Sequence, residues 1–249
     1  MKHLAAFIFG VSFICLGENA LSDDEISVDH PARQKIADVR VDVDSVYYTG
    51  EINKNGISRL IEAIDGSRGA ISVVKINSGG GEINDGISFA EIVRRKNLSV
   101  EVVDVCFSSC ANYVFTAGNK KILRKSSVVG WHGGASQEIS FNDVAIDGKE
   151  TMSTKQLESI RITFEKYMQG TLEREVRFFR EIGVQQNITT EGDADKYKEY
   201  RADKYSFWTY SIDDMQKYGV GNVHVIGGEW LPHTNPASNK IFKATYAEQ

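Results

Sequence analysis

Proline is scarce in this 249-residue sequence: Pro31, Pro232 and Pro236 are the only three, so residues 32–231 contain none. That excludes proline-rich linkers and a string of tethered modules, and it suits one compact domain. Three cysteines exclude a disulfide-dense miniprotein. Charge of one sign is also missing. With 29 Lys+Arg against 34 Asp+Glu the net charge is −5, and no long basic stripe appears, so nucleic acid is excluded as the main partner. The histidines His30, His132, His224 and His233 show no paired zinc spacing, and neither a metal nor a cofactor is expected. What is present is a 41% hydrophobic chain with 22 glycines, long enough to bury a core without a staple.

The N-terminus reads as a secretory signal. Lys2 and His3 precede an apolar run from Leu4 to Leu16, followed by Gly17, Glu18, Asn19 and Ala20, with cleavage expected after Gly17 or Ala20. The run is too short for a comfortable membrane span, so no stable span is expected after processing, and the mature chain is expected to be periplasmic or secreted. Cys15 leaves with the signal. Cys106 and Cys110 remain, an even pair in a disulfide-permissive compartment at a spacing short enough to bridge; two buried free thiols are the alternative. Residues 21–36 read as a linker, 37–231 as the domain and 232–249 as a C-terminal tail.

Within the domain, strand and helix patterns alternate. Val39 to Tyr48 alternates as one strand, and Ile57, Leu60, Ile61 and Ile64 recur at helical spacing. Ile71–Ile76 is a short β-branched run, Ile87, Ala90 and Val93 mark a helix, and Val100–Val105 is a strand again. A helix is expected from Ser109 to Ala117, stopped by Gly118. Strands follow near Ile122 and at Val128–Trp131. Ser153 opens a long helix striped by Leu157, Ile160, Phe164, Met168, Leu172, Val176 and Phe179. Residues 185–204 are polar and read as mobile. A short helix from Ser211 to Tyr218 and a strand at Val223–Ile226 close the pattern. The fold class is α/β with mostly parallel pairing.

Three features fall at the carboxyl ends of expected strands, where open α/β sheets place their sites. The first is Asn77-Ser78-Gly79-Gly80-Gly81, whose glycines let backbone N–H groups approach a ligand; no Gly-Lys-Ser/Thr follows, so it is not a P-loop. Cys106-Phe107-Ser108-Ser109-Cys110 is the second, and Trp131-His132-Gly133-Gly134 the third. Taken singly they read as a tight turn, a helix cap and a structural histidine. Together they supply a nucleophile, a base and oxyanion donors.

In this order, and with Tyr48-Thr49-Gly50-Glu51-Ile52 ahead of them and Thr116-Ala117-Gly118 between, these motifs resemble the ClpP/crotonase superfamily, most closely its exported ClpP-like serine protease branch. The resemblance runs from about Val41 to Gly134, with Gly79 where that family carries proline. It implies a fold of repeated strand-strand-helix units, and a serine hydrolase acting on a peptide or protein substrate. Carried across residue by residue, Ser109 is the nucleophile, with Ser108 its rival, and His132 the general base. The amides of Gly80 and Cys110 form the oxyanion hole. The family's acid falls on Phe207, which leaves Asp203 as the nearest acid upstream. A catalytically silent ClpP-like binding or scaffold protein is therefore the alternative. An acyl-CoA enzyme suits an exported chain poorly. Family members commonly form rings or trimers, which implies a possible homo-oligomer with the Leu157–Phe179 stripe as an interface.

Overall fold

The computed structural model describes residues 36–248 except 138, 139, 142, 143, 145, 147 and 204, together with the side chain of Asp203. The expected signal peptide and nearly all of the linker lie outside the described residues. The chain divides into two compact units, one formed by residues 35–137 with 171–249 and the other including residues 138–170.

The larger unit is an α/β structure with a mostly parallel sheet. Its strands are β1 (Asp38–Asp42), β2 (Ser45–Thr49), β3 (Val73–Ser78), β4 (Ser99–Phe107), β5 (Lys121–Arg124), β6 (Val128–Gly130) and β8 (Val223–Ile226), in spatial order β1-β2-β3-β4-β5-β8, with β6 also paired to β4. Among these strands, in the described residues, only β1 and β2 pair antiparallel. The single strand expected over Val39–Tyr48 is a hairpin. Val43, 86% exposed, takes a left-handed φ of 44° and turns the chain with Asp44, a turn for which the alternating pattern carries no glycine or asparagine signal.

Two helices follow the parallel strands and cover the sheet. In α1 (Lys54–Asp65) Ile57, Leu60 and Ile64 are buried while Ile61 faces outward. The Asn53 side chain caps this helix, accepting from Gly56 N at 2.9 Å, a contact worth about 1 kcal/mol. In α2 (Ile83–Arg95) Ile87, Ala90 and Val93 are buried as their spacing predicts. Against them lie Val46, Tyr48, Val74, Ile76, Val100 and Val102 from the central strands.

The strand β4 is not straight in its pairing. Its register with β3 jumps from Ile76↔Val102 to Ser78↔Cys106, and the Asn77 side chain accepts from Val105 N at 3.2 Å inside that irregularity. Bulges re-aim the residues that follow them. Beyond β4 the expected helix forms around a π-helical turn, Cys110–Phe115, every residue of which is buried. Such turns are rare and concentrate at functional sites.

The chain's last third packs more tightly than its polarity suggests. Residues 186–197 fold into three short 3₁₀ turns that lead into α4 (Lys198–Asp203), with Ile188 and Tyr197 buried as anchors. Gly192 lies so close to the Trp208 indole that a Cβ there would sit 2.1 Å from it. Past β7 (Phe207–Thr209) and α5 (Ile212–Lys217), the segment expected as a tail supplies β9 (Ile241–Lys243). It pairs parallel with β7 and buries Phe242 and Ala244.

The expected long helix is α3, Thr154–Ile182. Ser153 and Gln156 form a reciprocal capping box at its start, and Arg161 bridges Glu158 and Glu165 along the exposed face of its first half. In the unit that includes residues 138–170, Phe141 packs on Phe164 with ring centroids 5.9 Å apart. From residue 171 onward the buried face is Thr171, Glu175, Phe178 and Phe179, and Val176 of the expected stripe is exposed.

Candidate active site

The end of β4 and the turn after it place a serine in a conformation that serine rarely adopts. Ser108 has φ 56°, in the left-handed region, and is held there from both sides: its N–H donates to Gly130 O at 3.0 Å, and its carbonyl accepts from Asn112 N at 2.8 Å. The side chain so presented meets the histidine after β6. Ser108 Oγ lies 2.6 Å from His132 Nε2. With that nitrogen unprotonated, the hydroxyl donates to it.

His132 leaves the sheet through Trp131, which is fully buried and exchanges backbone hydrogen bonds with Trp208. Burial holds its imidazole below the ordinary value of 6.5, against the opposing effect of its own backbone carbonyl, so it is neutral at pH 7. The ring packs edge-on to Phe207, centroids 4.9 Å apart, and Phe207 in turn stacks on Phe107 at 4.9 Å. The residue on which the acid of the resembling family falls is thus an aromatic that touches the histidine. Asp203 belongs to α4, and its side chain lies outside the described residues.

Ser109, expected as the nucleophile, is turned the other way. It is buried, and its hydroxyl donates to Gly81 O at 2.6 Å, tying the start of the helix to the glycine turn. His132 therefore meets the serine expected as the rival. That difference of one residue follows from the left-handed φ at Ser108, which spacing counted back from Gly118 does not reveal.

Gly80 carries the turn's positive φ, 95°, and a Cβ there would stand 2.6 Å from Ser108 Cβ and 3.0 Å from Ser109 N. Its hydrogen atom keeps the space beside the Ser109 amide open. Gly80 N itself donates to Ser78 Oγ at 3.1 Å. With Ser108 facing the histidine, the next amide along the chain belongs to Ser109, and Cys110, the other expected donor, begins the π-helical turn one residue further on. Cys106 and Cys110 form a disulfide, with Cα atoms 5.2 Å apart, enclosing Phe107, Ser108 and Ser109.

Three residues of this neighbourhood escaped the sequence reading. In the sequence Phe207 signals only the lack of an acid, whereas in the structure its ring lies against His132. Asn112 donates from Nδ2 to Gly133 O at 2.7 Å, and the fully buried Glu175 accepts from Tyr113 and Ala135. The available signal for Glu175 was its i, i+4 spacing from Thr171 and i, i+3 spacing to Phe178, which puts a carboxylate on an apolar face. Among the described residues no group of three or more His, Cys, Asp or Glu side chains is placed to hold a metal ion, and no helix is long and apolar enough to cross a membrane. No family model and no curated protein matches this chain.

Proposed function

We propose that this chain is an exported serine hydrolase of ClpP/crotonase-like fold, acting on peptide or other acyl bonds through an acyl-enzyme. The observation that carries it is Ser108 Oγ at 2.6 Å from the Nε2 of a histidine kept neutral by burial. Ser108 attacks the carbonyl carbon while His132 takes its proton. The tetrahedral oxyanion is received by the Ser109 amide, with Gly80 N–H as second donor once it leaves Ser78 Oγ. Collapse expels the amine or alcohol with the proton that His132 returns, and water then repeats the cycle on the ester. The order of glycine turn, serine turn and histidine along parallel strands supports this reading, as does the family resemblance of the same motifs.

The test is labelling of the folded mature chain by a fluorophosphonate. Wild type and Ser109→Ala are expected to label, and Ser108→Ala and His132→Ala to lose labelling. Labelling that survives Ser108→Ala sinks the assignment. Phe207 in place of an orienting acid favours a second reading, a silent binding protein that retains the cleft. Saturable peptide binding with no labelling and no turnover would decide for it.

A further inference from the structure

Glu175 has no exposed surface, and a carboxylate in that position persists only where donors replace water. Three do. Its Oε1 accepts from Tyr113 Oη at 2.5 Å and from Ala135 N at 3.0 Å, and its Oε2 accepts from Gln186 Nε2 at 2.6 Å. Two of those donors lie on the segments that carry the proposed dyad. Tyr113 belongs to the π-helical turn that follows Ser108, and Ala135 lies in the loop that follows His132.

The loop is shaped for this contact. A Cβ on Gly134 would stand 2.6 Å from Glu175 Oε1 and 2.8 Å from Thr189 Oγ1, so only glycine lets the backbone reach the carboxylate. Asn112 adds a second tie from the same helical turn to the same loop, at Gly133 O. Burial and the adjacent carboxylate push the Tyr113 phenol well above its ordinary range, which keeps it a donor. Meanwhile the His132 ring packs edge-on against Phe207.

We propose that Glu175 is the positioning residue of this site, fixing His132 against Ser108 by clamping the loop after the histidine to the helical turn after the serine. It rests on the Ser108–His132 assignment, but it concerns how the pair is held. An orienting acid fixes the imidazole directly; Glu175 fixes the backbone that carries it.

The test compares three variants of the mature chain, Glu175→Met, which removes both acceptor oxygens at similar volume, Tyr113→Phe and Gln186→Met. The first two cut links to the dyad's segments, whereas the third removes a donor on neither segment. Two readouts are taken on protein verified as folded: the fluorophosphonate labelling rate, and the titration of the His132 ring by NMR. Labelling is expected to slow about 10- to 100-fold in Glu175→Met and less in Tyr113→Phe, as displacement on the order of 1 Å would cause. The His132 titration is expected to move up toward 6.5 in both, and peptide affinity to hold. Gln186→Met should leave rate and titration unchanged even if it lowers the melting temperature as much. The proposal is overturned if Glu175→Met and Tyr113→Phe leave the titration in place, or if all three variants shift it alike. Should the wild type not label at all while the titration still moves in the first two alone, the hydrolase reading fails and the clamp stands.

Discussion

Ser108 sits in the left-handed region, where a side chain costs about 1–2 kcal/mol relative to glycine, and the surrounding hydrogen bonds sustain it there. Ser108→Gly should therefore match or exceed wild type in thermal stability, by up to about 1 kcal/mol after the entropy of a new glycine is deducted, while labelling falls to background. A loss of stability in calorimetry would show that the strain is not there. Gly80 argues the opposite case. Its Cβ would fill the space beside the Ser109 amide, so Gly80→Ala should cost about 10²- to 10³-fold in turnover, the loss typical of an oxyanion donor put out of reach. His132 sets the pH dependence. In the proposed reaction its neutral form is the base, and burial lowers its pKa, so kcat/KM should rise with pH through an inflection below 6.5 and then plateau. The sign for stability is the same: the unfolded chain binds the proton more readily, so stability falls as pH drops from 6.5 through the folded-state value. An inflection above 6.5 would contradict the burial argument.

At the scale of elements, the disulfide and the turn it encloses act as one device. Cys106 is the penultimate residue of β4 and Cys110 begins the π-helical turn, so the bridge closes a loop containing both serines. Closing so short a loop limits the unfolded chain by about 2 kcal/mol. The double variant Cys106→Ala, Cys110→Ala should lose about that much in chemical denaturation. Its labelling rate should fall further than the folded fraction does, because Ser108 loses a restraint on its φ; labelling that merely tracks the folded fraction would make the bridge a staple only. The cysteine spacing and the expected export made the pair legible in sequence. The helices α1 and α2 were legible for a similar reason, since apolar spacing reports burial directly. What could not be read was backbone sign: neither the positive φ at Val43, which breaks one expected strand into a hairpin, nor that at Ser108, which exchanges one serine for its neighbour, leaves a trace in residue type. Glu175 stayed hidden for the complementary reason. A charged residue reads as solvent-facing until its donors, 62 residues earlier at Tyr113 and 40 earlier at Ala135, are brought to it by the fold.

For the larger unit as a whole, the C-terminal segment pairs with the strand whose first residue touches His132. Phe242 in β9 pairs with Trp208 across the parallel β7–β9 ladder and packs among Tyr197, Tyr200, Tyr205 and Trp208. The same β7 begins with Phe207, which covers His132, and its Trp208 exchanges hydrogen bonds with Trp131 next to that histidine. A disturbance at β9 therefore has a short path to the base through one strand. Phe242→Ala removes a side chain that is only 5% exposed and should cost about 3–5 kcal/mol, a fall in melting temperature on the order of 10 °C. Removing residues 241–249 strips β7 of its parallel partner, leaving it the Trp208–Trp131 bridge, and should be worse. The informative measurement is the His132 ring signal in folded Phe242→Ala at low temperature. If β7 transmits the change, that signal shifts or broadens, whereas the exposed His224 on β8, hydrogen-bonded at its ring Nε2 to Asn222, keeps its own. An unmoved His132 signal in a protein melting at least 5 °C lower would confine β9 to stability alone.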